Sequence, residues 1–277
     1  MRPLLPGAGR GRMARRVLWA MACGMLLPAT VWAHAFWLVP FGPTPERGQD
    51  VALDLRIGPR WPGASTPRLP GMVAEFQVVD AEGSRDVPGR SNGRPAGHFK
   101  ARAAGASIVS MQTNPSTIAL AGPAFEAYLK EEGLDDALRL RRELGVADAP
   151  GREDFTRAAK SLVLVDGKSR GYDRVLGLPF ELVPLTDPLA YRPGGPFRLK
   201  LLLAGRPAGH ARVAALPRDL PDQIVEARTS AAGEVELALP HAGLWTIYAV
   251  HIEPAARPPA DWNSIWASLT FSLPGAP

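Results

Sequence analysis

The chain has 277 residues, 46% of them hydrophobic and 7% aromatic, with 32 basic groups, 27 acidic groups and a single cysteine. Five of the basic groups, Arg2, Arg10, Arg12, Arg15 and Arg16, lie in the first 33 residues, which hold no acidic side chain, so the remainder balances 27 charges of each sign. The basic excess therefore belongs to the leading stretch and gives no reason to expect a nucleic-acid partner, and because Cys23 also lies there, the rest can form neither a disulfide nor a thiolate metal site.

Residues 1–33 read as a signal peptide: a basic head, an apolar run from Val17 to Leu27, and small residues before a cut. The run is interrupted at Gly24, stopped at Pro28, and shorter than the roughly 20 residues needed to span hydrocarbon. No later segment is apolar for long enough, so the processed protein is expected to carry no transmembrane anchor and to be periplasmic. Ala20-Met21-Ala22 before Cys23 lacks the leucine of a lipoprotein site, and Arg15-Arg16 followed by Val17-Leu18 fits only part of a twin-arginine signal.

Strand-like alternation begins at Val51–Ile57, with Val51, Leu53, Leu55 and Ile57 on one face, and stops at Gly58, Pro59, Pro62 and Gly63. Further strands are expected at Val73–Val79 and Ala106–Thr113. From about residue 123 to 160 the pattern becomes helical: Pro123 suits a first turn, Phe125 and Leu129 share a face, Glu126 and Lys130 stand four apart, and Gly133 ends the helix. A second helix is expected from Asp135 to Leu144, with Leu134, Leu138 and Leu144 inward, and a short third from Glu153 to Lys160. Strands return at Leu162–Val165, Phe180–Pro184, Phe197–Leu203, Ala211–Ala215, Glu234–Leu239 and Leu244–Ile252, the last placing Trp245, Ile247, Ala249 and His251 on one face.

Short strands punctuated by Pro and Gly predict a mainly β protein of β-sandwich architecture with a small helical insert. The Pro- and Gly-rich stretch from Asp187 to Pro196 suggests a division into an N-terminal β-rich domain, 34–190, and a C-terminal β-sandwich, 191–277.

Five histidines occur, at 34, 98, 210, 241 and 251, and no two are spaced as a local metal motif. A cut after Ala33 would make His34 the first residue, where its α-amine and imidazole Nδ1 can chelate one ion; a cut after Ala35 would discard it. Such nitrogen donors suit nickel, cobalt, copper and zinc rather than calcium or magnesium. His251 closes the Trp245-led face; His98, His210 and His241 read as turn residues. Glu131-Glu132 and Asp135-Asp136 read as a solvated helix face, and Phe36, Trp37, Trp262 and Trp266 as core aromatics. No G-x-S-x-G elbow, P-loop or dinucleotide fingerprint is present, so no enzymatic activity is expected.

The segments His34-Ala35-Phe36-Trp37-Leu38-Val39-Pro40, Phe125 to Leu134, Gly177 to Pro184, Gly243-Leu244-Trp245 with Val250-His251, and Asp261 to Phe271 together resemble the periplasmic domain-of-unknown-function 4198 family. Its members are commonly described as the periplasmic component of nickel or cobalt uptake systems. The C-terminal part, with Gly205 to Ala211 and Ser230 to Val235 as turns and strands, resembles a transthyretin-like or Ig-like sandwich. The resemblance implies a transition-metal binding protein that holds nickel or cobalt, with copper as a further candidate, through His34 and His251. Asp261, Glu253, water or a small chelator would complete the coordination, and a membrane metal transporter would be the partner. The alternative reading is a metal-independent β-sandwich interaction module.

Overall fold

A computed structural model describes residues 34–275. The expected signal segment, Cys23 and the cut after Ala33 fall outside the described residues. No helix among those residues is long and apolar enough to cross a membrane.

The protein is mainly β. The N-terminal strands are β1 (Phe36–Pro40), β2 (Asp50–Ile57), β3 (Ala64–Thr66), β4 (Val73–Asp80), β5 (Gly83–Asp86), β6 (Gly97–Lys100), β7 (Gly105–Thr113) and β8 (Ser116–Leu120). Two helices follow, α1 (Gly122–Glu131) and α2 (Asp135–Glu143), then β9 (Gly151–Val165) and β10 (Phe180–Pro184). The C-terminal strands are β11 (Pro196–Leu203), β12 (Arg206–Pro207), β13 (Arg212–Pro217), β14 (Val225–Arg228), β15 (Glu234–Ala238), β16 (Gly243–Pro254) and β17 (Trp262–Leu273).

Among the described residues, nine strands form a central sheet in the order β14-β13-β16-β17-β9-β7-β4-β5, with β8 beside the first part of β9. The β17–β9 pair is parallel, with Trp262 opposite Glu153 and Trp266 opposite Arg157. Side chains of a strand alternate between faces, so successive residues of β7 enter different cores. Ile108 packs with Phe180, Leu199, Leu201, Trp245 and Phe271 on the back face, under the small sheet of β10, β11, β12 and β15. Val109 and Met111 pack with Phe36, Leu38, Leu53 and Phe76 on the front face, under β1, β2, β3 and β6. Each large apolar side chain so buried contributes about 1.5–3 kcal/mol. The boundary expected near residue 190 falls between β10 and β11, and strands from both sides of it share the central sheet.

The period-two segments became strands because alternation of apolar side chains is itself the pattern of burial: Val51, Leu53 and Leu55 are fully buried, as are Trp245 and Ile247. The expected third helix at Glu153–Lys160 is instead part of β9, a 15-residue strand. Its inward positions alternate as a strand requires, but they hold Glu153 and Arg157 beside Gly151 and Phe155, so the period was written in charged residues. In α2 the inward residues are Ala137 and Arg141, whereas Leu144 is 63% exposed. Arg141 occupies the inward place because its guanidinium lies 4.9 Å over the Phe125 ring and donates to Glu126 and to the carbonyls of Val146, Ala147 and Ala149.

Two glycines set the front face. A side chain at Gly63, whose φ is +61°, would collide with Trp37, and Trp37 anchors β1 against Trp61 with ring centroids 5.3 Å apart. A Cβ at Gly151 would sit 2.5 Å from the Phe125 ring, so its absence lets α1 lie directly on β9.

Candidate functional site

On the front face α1 lies over the first part of β9, with Phe125 against Gly151 and Tyr128 on Glu153. Phe125 faces Trp262 at 6.2 Å, and the Trp266 ring stacks between Tyr128 and Tyr248, each 6.2 Å away. Beneath this aromatic layer Glu153 is fully buried. Its Oε1 accepts from the Tyr128 hydroxyl at 3.3 Å and from Ser264 Oγ, and its Oε2 has no hydrogen-bond partner. Burial is the main influence on this carboxyl and raises it to about 7, against the pull of Ser264, Tyr128 and Arg157. Tyr128 is pushed well above its ordinary value by burial and by the charge of Glu153.

Arg157, nine-tenths buried, is lowered to about 10 by burial, with Glu153 opposing. Its guanidinium lies 4.4 Å from the Phe155 ring centre and 5.5 Å from that of Phe36, and its Nε is unpartnered. At the far end of α1, Glu132 is buried rather than on the solvated face expected of it, and burial raises it to about 7. Arg212 donates to Glu132 at 3.1 Å, to the Tyr248 hydroxyl at 3.3 Å and to Glu226. That guanidinium gains from its several partners and is itself raised, while Glu132 at its dry end remains dominated by its own burial.

His34 enters the same region immediately before β1. It is half-buried, and its imidazole is held below the ordinary value by burial, with Glu131 opposing and Arg157 reinforcing the effect. The neutral form, with a nitrogen lone pair to offer, is therefore favoured near neutrality.

His251 lies elsewhere. Val250 is opposite Trp266, which is opposite Arg157, so those three share the front face and His251 takes the back. There it borders a cleft of about 580 Å³ at the open end of the back sheet, with Asp154, Thr156, Glu253, Asn263 and Ile265. Its Nε2 stands 3.7 Å from Glu253 Oε2 and its ring 6.2 Å from that of Phe180.

The two expected metal ligands are thus not brought together: His34 faces Glu131 and Arg157 in front, and His251 faces the cleft behind. The cause is strand alternation, since a histidine at an odd position of β16 cannot join a site on the even face. Asp261 is held by Arg152 through its backbone amide and guanidinium, at 3.0 and 3.2 Å to Oδ2 and 3.0 Å to Oδ1. Glu253 lies with His251 on the cleft side. Among the described residues no three His, Cys, Asp or Glu side chains form a group able to hold a metal ion. His98 is exposed on β6, His210 occupies a left-handed turn position, and His241 Nε2 contacts Gln223 Oε1 at 2.7 Å. The four aromatics expected in the core are there.

Glu153, Arg157, Tyr128 and Glu132 were not anticipated as a group. The signal that would have found them is the alternation of Gly151, Glu153, Phe155 and Arg157, in which charges sit where apolar residues usually do.

Residues 31–253 match the profile of a family described as a domain of unknown function, DUF4198. No curated protein matches the chain. Among solved structures, the D0-D1 domain of intimin is 12% identical, with 84% of this chain and 96% of that one covered and a TM-score of 0.21. Dimeric latent PorU from Porphyromonas gingivalis is 11% identical over 91% of this chain and 21% of that one, with a TM-score of 0.19.

Proposed function

The chain belongs to the DUF4198 family, and from that premise we propose that it is a periplasmic binding protein for one transition-metal ion, nickel or cobalt, held at His34 and delivered to a membrane transporter. The observation that carries this reading is the His34 imidazole, kept toward its neutral, ligating form by burial at the entrance to an anchored strand. Phe36, Trp37 and Leu38 are all buried directly after it, so the backbone that carries His34 is anchored by the packing of β1.

Cleavage after Ala33 would add the α-amine of His34, giving a two-nitrogen chelate from one residue. Glu131, whose charge acts on the His34 ring, supplies a carboxylate oxygen in this reading. A site with so few protein donors keeps coordination positions open for water or a small chelator and releases its ion readily. The role is binding and not catalysis, and His251 takes no part in this site.

The test is calorimetric titration of the exported protein, its N-terminus verified as His34, with nickel, cobalt, copper and zinc salts. One ion per chain is expected. Its affinity should fall at least tenfold on His34→Ala or on acetylation of the α-amine, and should hold on His251→Ala. Binding should also weaken as pH is lowered, because amine and imidazole must shed protons to ligate. Undiminished binding by the His34→Ala variant, or no binding at all, would replace this reading with the metal-independent interaction module.

A further inference from the structure

The back-face cleft is separate from the His34 region and has its own chemistry. Its floor is the exposed end of β9, β17 and β16, where Thr156, Ile265 and His251 point away from the front face. One wall is the tight turn between β11 and β12, with Leu203 and Ala204, and another is Pro179 at the start of β10. That wall is fixed from behind, because the Glu181 carboxylate accepts the backbone amides of Leu176, Gly177 and Leu178 at 2.8, 2.9 and 3.2 Å. The cleft is therefore preformed, and at about 580 Å³ it has the size of a small-molecule site.

Its charge is one-sided. The lining includes the carboxylates of Asp154 and Glu253 and no lysine or arginine. Among the described residues neither carboxylate forms an ion pair with a lysine or arginine. Asp154 Oδ1 accepts from Thr117 Oγ1 at 2.5 Å, and Glu253 has the His251 ring at 3.7 Å. Register sets the two carboxylates in one cross-strand row of the back face, Glu253 opposite Asn263 and Asn263 opposite Asp154. Two carboxylates without a lysine or arginine partner, beside an apolar wall of Ile265, Leu203 and Pro179, are complementary to a positive charge carried on an apolar body.

We propose that this cleft binds a small amphipathic organic cation, an alkylammonium or arylguanidinium. Its charge lies toward Asp154 and Glu253, its hydrogen-bond donors reach Asn263 and Thr156, and its hydrocarbon part covers Ile265 and Leu203. Attraction between partly exposed charges is screened by salt, so affinity falls as ionic strength rises.

The probe is n-hexylammonium, with 1-hexanol and hexanoate as uncharged and oppositely charged matches, added to isotope-labelled protein in the presence of EDTA. Saturable amide shifts confined to residues around 154, 251–253 and 263–265 are expected for hexylammonium only. The Asp154→Asn/Glu253→Gln double variant, isosteric and at a half-buried and an exposed position, should weaken binding at least tenfold while keeping the wild-type spectrum elsewhere. His34→Ala should leave the affinity unchanged, so failure of the metal reading and failure of this one are told apart. Equal shifts with hexanol, unsaturable shifts spread over surface carboxylates, or an unaffected double variant would each overturn the proposal.

Discussion

Glu181→Ala is expected to destabilise the protein by about 3–5 kcal/mol, the cost of leaving one partner of a buried ion pair alone. Lys160 reaches from β9 through the back core and donates to Glu181 Oε1 at 2.8 Å and to the Leu182 carbonyl at 3.0 Å, and both side chains are 1% exposed. Burial alone would drive the ammonium toward its neutral form; Glu181 opposes that shift without abolishing it. The substitution strips the ammonium of its counter-charge and frees the amides of residues 176–178 at once. Lys160→Met should cost less, because the Glu181 carboxylate keeps those three amide donors. Urea unfolding at pH 7 measures both, and a loss under about 1 kcal/mol for Glu181→Ala would show that the pair is not closed as the geometry places it. The cleft wall at Pro179 should loosen in the same variant, read by faster amide exchange at 176–178.

Glu153→Gln is expected to stabilise the protein at pH 8 by about 3 kcal/mol, at about 1.4 kcal/mol per pKa unit, and to do little at pH 5. The reasoning is one of proton linkage. A carboxyl raised from 4.5 to about 7 binds its proton more tightly in the folded state. Its contribution to stability is therefore complete below the unfolded value and is lost as pH rises through the folded one. Glu132, raised to about 7 by its own burial, acts in the same direction over the same window. His34 acts oppositely: its lowered value means the unfolded chain takes up the proton first, so stability falls as pH drops below the ordinary histidine value. The difference between wild type and Glu153→Gln isolates the Glu153 part, since Glu132 and His34 are common to both. Parallel stability curves for the two proteins from pH 5 to 8 would mean that Glu153 is ionised throughout. Gln at this position retains an acceptor for Tyr128 and Ser264 and brings no charge into the space beneath Trp266.

The β character of the chain was legible because apolar alternation and burial are one property seen in two ways. Val51–Ile57, Phe180–Pro184 and Leu244–Ile252 could be read as strands without knowing what covered them, and the observed strands contain them. Pro123 and Gly133 marked the ends of α1 for equally local reasons, the fixed φ of one and the left-handed turn of the other. Residues 153–160 were not legible in this way. Glu153, Arg157 and Lys160 stand three and four apart, a spacing that suits a solvated helix. They are buried in a strand only because Tyr128 and Ser264 on one side and Glu181 on the other supply polar contacts from distant parts of the chain.

The sequence by itself determined the local conformation of most strands and of α1, the balanced charge of the body, and the choice of His34 and His251 as histidines in unusual settings. Each of these depends on neighbours within a few residues or on simple totals. Only the tertiary structure decided that the two histidines lie on opposite faces, that Arg141 replaces leucine on the inner side of α2, and that carboxylates as far apart in the chain as Asp154 and Glu253 share one cleft. These follow from strand register and order, above all the parallel pairing of β9 with β17, which joins residues more than a hundred positions apart. That pairing is selected by the packing of both faces together, and no stretch of the chain carries that information alone.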